Sequence, residues 1–126
     1  KAMMSLGGVK GIEIGTGFAV SSMTGSEAND ELTSKSGKIT TKTNHAGGIL
    51  GGISNGNDII VRLAVKPTAS IAQPQNTVNK NGRAEKIKVE GRHDPCICPR
   101  IVPIAESMMT IVIADHLLKQ KIASIY

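Results

Sequence analysis

Tryptophan is absent from this 126-residue chain, and its aromatics amount to Phe18 and Tyr126. Proteins that stack the bases of single-stranded nucleic acid need several aromatic platforms, so those modules are excluded and no nucleic-acid partner is expected. A core has to be built from Ile, Val, Leu, Met and Ala, which bury less area per residue than aromatics. Cysteine is nearly missing too. Cys96 and Cys98 lie two positions apart, a poor geometry for a mutual disulfide, and with no other cysteine to pair a reducing, cytoplasmic setting is expected. An uninterrupted apolar run is also lacking: the longest, near residues 101–118, is broken by Pro103, Glu106 and Asp115. No transmembrane helix and no membrane partner are therefore expected. Nothing at the start resembles a signal peptide, since Lys1-Ala2-Met3-Met4-Ser5-Leu6 runs straight into glycines. The chain opens in mid-pattern, which reads as a piece of something longer.

What the chain does have is charge and glycine. Fifteen Lys+Arg stand against ten Asp+Glu, giving a formal net charge of +5 and a pI near 9.4. With 40% hydrophobic residues and 14 glycines, the composition suits one globular unit rather than a disordered chain.

Lys1–Leu6 reads as the last turn of a helix stopped by Gly7-Gly8. Val9–Gly15 alternates in the manner of a strand, which Phe18 and Val20 extend across a bend at Gly15 and Gly17. Ser21–Asn44 is rich in Ser, Thr, Asn and Lys and reads first as a solvated loop, with an active lid as the alternative. Residues 46–66 predict a β-hairpin turning at Asn55-Gly56, its first arm nearly stripped of side chains by paired glycines. Asn79-Lys80-Asn81-Gly82 predicts another turn, and Glu85–Glu90 a further strand. Pro103 suits the first position of one long helix, whose stripe Ile104, Met108, Ile111, Val112, Leu118, Ile122 and Ile125 is supplemented on other faces by Ile113, Ala114 and Leu117. A helix apolar around so much of its girth should lie buried between layers. The fold class is thus α+β, an antiparallel sheet with a long buried helix.

Three places hold residues suited to chemistry. The glycine cluster at 47–52 matches neither familiar nucleotide loop; it is a tight hairpin or a flat wall for a planar ligand. His45 beside it is a better site candidate than His116, which is given no role. Lys66-Pro67-Thr68-Ala69-Ser70 sets a cation and two hydroxyls at a strand end, apt for a phosphate, although a solvated strand end reads equally simply. Gly91-Arg92-His93-Asp94-Pro95-Cys96 is densest. On an extended segment Arg92 and Asp94 face one way and His93 the other, so Arg92 can bind an anion while Asp94 handles a proton, or the two form a salt bridge. His93, Cys96 and Cys98 offer metal ligands, but structural zinc wants four and the fourth candidate, His45 or His116, is distant. No metal is assigned, and both cysteines are expected to be buried small apolar residues.

Taken in order, these stretches resemble the chorismate synthase family. The residues that carry it are Val9-Lys10-Gly11-Ile12-Glu13-Ile14-Gly15 with Gly17-Phe18, then Gly25-Ser26 with Asn29-Asp30-Glu31. Asn44-His45-Ala46-Gly47-Gly48-Ile49-Leu50-Gly51-Gly52-Ile53-Ser54, Lys66-Pro67-Thr68 and Gly91–Cys96 follow. Arg100, Val102-Pro103, Glu106 and Asp115-His116 close the set. Each motif is weak alone; the ordered set spans nearly the whole chain.

The family's enzymes are much longer, so the resemblance implies that residues 1–126 are the C-terminal portion of one domain, a β-α-β sandwich, with the N-terminal portion absent. It implies a lyase of the shikimate pathway that converts 5-enolpyruvylshikimate-3-phosphate to chorismate by 1,4-anti elimination of phosphate. The implied cofactor is reduced FMN, with no net redox change, and the implied assembly is a homotetramer. Whether NADPH reduces the flavin on the same protein stays open. The implied cofactor-binding residues are Gly7, Gly8, Gly51, Lys66, Pro67, Thr68, Ala69, Ser70 and Arg92, with Arg92 also at the substrate and Asp94 at the proton. The 21–44 stretch then reads as a flexible active-site loop. Because the family's catalytic histidines lie in the missing portion, the 126-residue piece is expected to be inactive alone. The competing expectation is a basic, non-catalytic binding or assembly module, which explains the charge but not the Arg-His-Asp cluster.

Overall fold

The structure, a computed structural model, describes residues 1–123. Tyr126, and the stripe position expected at Ile125, lie outside the described residues. Among the described residues the secondary structure is α+β: eight short strands, one helical turn, two 3₁₀ segments and one long C-terminal helix. Two compact units divide it, the first comprising Lys1–Ala2, Leu6–Gly8 and Val65–Tyr126, the second Met3–Ser5 and Val9–Ala64.

In the second unit, β1 (Val9–Ile14) pairs with β6 (Val61–Val65). Met3, in a 3₁₀ turn at Met3–Ser5, and Val9 are its buried apolar residues. The bend after β1 is where the glycines placed it, but Phe18 and Val20 do not extend the strand. They lie in a 3₁₀ segment, Gly17–Ser22, because the Glu13 carboxylate accepts the Phe18 amide at 3.1 Å and curls the chain back.

The 21–44 stretch is not an irregular loop. Thr24 caps a single turn, α1 (Gly25–Ala28), with Glu27 returning the bond in a capping box. A hairpin follows, β2 (Leu32–Lys35) with β3 (Lys38–Thr41), in register Leu32 to Thr41. Composition misled here because the hairpin is almost wholly exposed and needs few apolar residues.

The glycine-rich hairpin is shorter than expected. β4 (Ile49–Leu50) and β5 (Ile53–Ser54) pair across Gly51-Gly52, both at positive φ (59° and 80°), as a tight two-residue turn requires. Asn55-Gly56 also turns, with the Asn55 side chain accepting the Asn57 amide at 3.0 Å. It does not join two hairpin arms, because β6 is drawn instead to β1.

In the first unit, β7 (Gln75–Val78) pairs with β8 (Ala84–Ile87), an exposed hairpin that ends before Glu90. The expected turn at 79–82 is present: the Asn79 side chain accepts the amides of Asn81 (2.9 Å) and Arg83 (3.1 Å). The antiparallel pairing expected of one sheet is thus spread over separate two-stranded sheets.

The long helix α2 runs Cys98–Ala123, so Pro103 sits inside it rather than at its start. Pro99 occupies the first turn, where a missing N–H is harmless, and the helix begins there. Ser107 and Thr110 bond back to the carbonyls of Pro103 (2.8 Å) and Glu106 (2.9 Å). Burial of this helix is corrected: only Ile101 is buried, while Ile111, Leu118 and Ile122 are each more than half exposed. The expectation that interruptions exclude a membrane-spanning length is corrected as well. By length and composition, with mean hydropathy 1.6 over its most apolar window, α2 is long and apolar enough to cross a membrane.

Candidate active site

Chain reversal before β1 places Gly7-Gly8 against the end of β6. The Lys66 amide donates to the Gly8 carbonyl at 2.7 Å, so two segments expected at one cofactor are joined by backbone. A Cβ on Gly8 would stand 3.2 Å from Ile97 Cδ1 and 3.7 Å from Val65 Cγ1, whereas one on Gly7 would meet open space. Ile97 thus packs directly on the Gly8 backbone. Its carbonyl accepts the amides of Arg100 (3.0 Å) and Ile101 (3.1 Å), which fixes the 91–97 loop to the start of α2.

Lys66 and Arg92 are exposed while Thr68 and Ser70 are half-buried. The expected pairing of Arg92 with Asp94 is not what forms. Asp94 pairs with Arg100, in the first turn of α2, at 3.0 Å, because the 91–97 loop carries the carboxylate round to that turn. Among the described residues Arg92 makes no ion pair, which leaves its guanidinium available to an outside anion. Cys96 and Cys98 are exposed rather than buried, since this loop has no apolar layer over it. Among the described residues no cluster of three His, Cys, Asp or Glu is placed to hold a metal ion.

The second unit contains a different construction. Gly15 and Gly47 face each other so closely that a Cβ on Gly15 would lie 2.0 Å from the His45 carbonyl oxygen. Asp30, half-buried, holds that approach from the side. One carboxylate oxygen accepts the Thr43 hydroxyl (2.6 Å) and the His45 amide (2.7 Å), and the other accepts the Ala46 amide (2.9 Å). His45 Nδ1 bonds the Thr16 hydroxyl at 2.8 Å, and the Asn44 side chain accepts the Gly48 amide at 2.8 Å. His45 is therefore a structural contact of the glycine segment. Gly51, with nothing within 4 Å of its missing side chain, projects at the hairpin tip beyond it.

Burial pushes the Asp30 carboxyl up, but the Thr43 hydroxyl and the two amides outweigh it and leave it below the usual carboxylate range. A depressed folded value contributes stability that is present above the unfolded value and lost as pH falls through the folded one. Asp30→Asn should consequently lower stability at neutral pH by about 1.5–3 kcal/mol, the range for a charged acceptor, and with it the urea midpoint. It should also flatten the acid limb of the stability profile; urea melts across the acid range check both. An unchanged acid limb would mean that Asp30 carries no such load.

A concavity of about 330 Å³ lies beside β1 and β6, lined by Gly11, Glu13, Phe18, Arg62 and their neighbours. Phe18 amide and Arg62 hold Glu13 below the usual carboxylate range. None of the residues expected at the cofactor lines this concavity, so it is set apart from the chemistry above.

Sequence reasoning missed Asp30, Ile97 and Arg100 as supports. Asp30 acts across fifteen positions, and no local spacing signals such a bond. Arg100 was legible only as a motif position, although a cation six residues after an acid at a helix start is a signal of sorts.

The structure thus joins Gly8 to Lys66 at the end of β6 and packs Ile97 on Gly8, in an α+β chain. The comparisons make the class specific. The family model for chorismate synthase matches residues 1–118. The chorismate synthase of Chloroflexus aurantiacus is 55% identical over 126 residues, 99% of this chain and 35% of its own. That of Roseiflexus castenholzii is 53% identical over 124 residues, 98% of this chain and 35% of its own. A solved crystal structure of a chorismate synthase matches at TM-score 0.50 and 46% identity, over 52% of this chain and 20% of that one. This chain belongs to the chorismate synthase family, lyases of the shikimate pathway. It spans about a third of the length of those curated relatives.

Proposed function

We propose that this chain is the C-terminal portion of a chorismate synthase domain. The domain converts 5-enolpyruvylshikimate-3-phosphate to chorismate by 1,4-anti elimination of phosphate, as part of a cytoplasmic homotetramer. The observation that carries the reading is the joining of Gly8 to Lys66 beside the 91–97 loop, within a chain of this family.

The residues fit reduced FMN. Gly7 leaves open space over its backbone, and Lys66 and Arg92 are exposed cations. Pro67 and Ala69 space the hydroxyls of Thr68 and Ser70 along the same segment, and Gly51 offers a second bare stretch of backbone. When bound, reduced FMN supplies electron density that assists loss of phosphate. The chain's own residues do the rest. Lys66 and Arg92 neutralise the phosphates of cofactor and substrate, Thr68 and Ser70 donate to them, and Asp94, oriented by Arg100, holds or moves the proton. The exposed apolar surface of α2 is covered by the remainder of a β-α-β sandwich. That places α2 against protein rather than lipid, in keeping with Arg100, Glu106, Asp115 and Lys119 along its length. The 21–44 hairpin and helical turn act as the lid. The isolated 126-residue chain is inactive, because catalytic groups of the family lie in the rest of the domain.

Titration of the intact protein with reduced FMN in the absence of oxygen tests the binding half. Lys66→Ala and Arg92→Ala should each weaken affinity about tenfold, the loss of one charge-assisted contact. Lys86→Ala on the exposed β8 should leave it unchanged. Equal affinities for all three variants would remove Lys66 and Arg92 from the site.

A further inference from the structure

Asparagine is followed by glycine twice, at Asn55-Gly56 and at Asn81-Gly82, and both pairs are exposed. The dipeptide has its own chemistry. With no side chain on the second residue, its backbone nitrogen can approach the asparagine side-chain carbonyl carbon and close a five-membered ring. Both glycines have positive φ, 87° at Gly56 and 77° at Gly82, so the backbone does not tell the two pairs apart. Their hydrogen bonds do.

At Asn55 the electrophile is engaged and the nucleophile is free. The Asn57 amide donates to the Asn55 side-chain oxygen at 3.0 Å. That bond folds the side chain forward past Gly56 and sets a fixed donor on the atom where negative charge would gather. Among the described residues the Gly56 amide makes no hydrogen bond. On either side the segment is held: the Asn55 amide donates to the Gly48 carbonyl at 3.1 Å, and the Asn57 side chain to the Thr41 hydroxyl at 2.9 Å. At Asn81 the roles are reversed. The Gly82 amide is tied to the Asn79 carbonyl at 2.9 Å. Among the described residues nothing bonds the Asn81 side chain, because the Asn79 side chain takes the amides of that turn.

We propose that Asn55 is a site of spontaneous modification, deamidating through a succinimide to aspartate and isoaspartate, and that the fold protects Asn81 from the same reaction. The atoms balance. Water or hydroxide removes the Gly56 amide proton, the nitrogen bonds to the Asn55 Cγ, and the carbonyl electron pair moves onto Oδ1 beneath the Asn57 amide. Return of that pair breaks the Cγ–Nδ2 bond, and the amino group takes up a proton and leaves as ammonia. Water then opens the ring, at Cγ to give aspartate or at the backbone carbonyl to give isoaspartate. One water is consumed, one ammonia is released, and a neutral amide becomes a carboxylate.

For the test, the intact protein is aged in mildly alkaline heavy-oxygen water, sampled, digested and weighed. The Asn55 peptide should convert from amide to acid at least about tenfold faster than the Asn81 peptide. The new acid should carry heavy oxygen, and an isoaspartyl carboxyl methyltransferase should label part of it. In denaturant the two sites should react at comparable rates, which ties the difference to the fold. Asn81 reacting as fast as Asn55 in the folded protein, or the same difference persisting in denaturant, would overturn the proposal. The consequence for the cofactor rests on the function proposed above, since Asn55 lies at the base of the hairpin that carries Gly51 at its tip. A carboxylate and a lengthened backbone there should weaken reduced FMN binding roughly threefold, and Asn55→Gln aged alongside should keep its affinity. Unchanged affinity in fully converted protein would count against Gly51 at the cofactor alone, because the peptide masses decide the modification without flavin.

Discussion

Gly15→Ala should unfold the unit that carries β1 and β6, at a cost of at least about 4 kcal/mol. Gly15 has φ +60°, a region that costs an L residue roughly 1–2 kcal/mol by itself. Conformation is the smaller part. The new Cβ would lie 2.0 Å from the His45 carbonyl oxygen, 2.5 Å from the Gly47 nitrogen and 2.8 Å from the Ala46 carbonyl carbon. All three are backbone atoms and none can rotate aside. They are also pinned, because Thr16 donates its amide to the same His45 carbonyl at 2.8 Å while Asp30 grips the His45 and Ala46 amides. Gly37→Ala makes the control: φ is +77°, but nothing lies within 4 Å, so only the conformational cost of about 1–2 kcal/mol applies. Urea midpoints of the two variants in the intact protein separate the contributions. Similar losses for both would show that the Gly15–Gly47 approach is not rigid.

Asp94→Asn should leave reduced FMN bound and lower kcat by about a hundred- to ten-thousandfold, the usual range for losing a positioned acid or base. The amide keeps the shape and can still meet Arg100 through its oxygen, so the loop should hold its path. What is lost is the exchangeable proton. A fall in kcat with KM little changed marks an interaction made only in the transition state. Arg100→Ala separates orientation from chemistry. It removes the 3.0 Å partner of Asp94 without touching the carboxylate, so kcat should fall by less than in Asp94→Asn. Equal kcat for Asp94→Asn and the unaltered protein would take Asp94 out of the reaction.

How far the sequence reveals this architecture depends on the range of the forces involved. Turns set by one or two residues were legible: the bend at Gly15 and Gly17, and the Asn79–Gly82 turn, where a single Asn side chain closes the loop. Choices between competing partners were not. Asn55-Gly56 is a good turn, but strand pairing is decided by β1, more than forty residues upstream, which claims β6 and leaves the hairpin to Gly51-Gly52. Pro103 is suited to a helix start, and Pro99 is suited to the same place four residues earlier. Local rules cannot rank them, and the Arg100 and Ile101 amides returning to Ile97 decide it.

At the candidate site, Lys66, Thr68, Arg92 and Asp94 are nominated by residue type alone. The partner of Asp94 was not legible: Arg92 is nearer in sequence, whereas Arg100 is brought close by the helix turn. Asp30 lay within a family motif with no chemical role attached. Two of its three bonds cross from the 21–44 stretch to His45 and Ala46 beside the glycines and exist only once both segments have folded. The apolar girth of α2 implied burial, and the described residues provide no second layer to cover it.

We propose a redox-neutral elimination, served by these residues in the intact protein. Its most direct test mixes the intact protein with reduced FMN and 5-enolpyruvylshikimate-3-phosphate under strict exclusion of oxygen, and measures phosphate, chorismate and flavin redox state together. Chorismate and phosphate should form in equal amounts, with the flavin still reduced at the end. No phosphate released, or flavin oxidised in proportion to product, would contradict it.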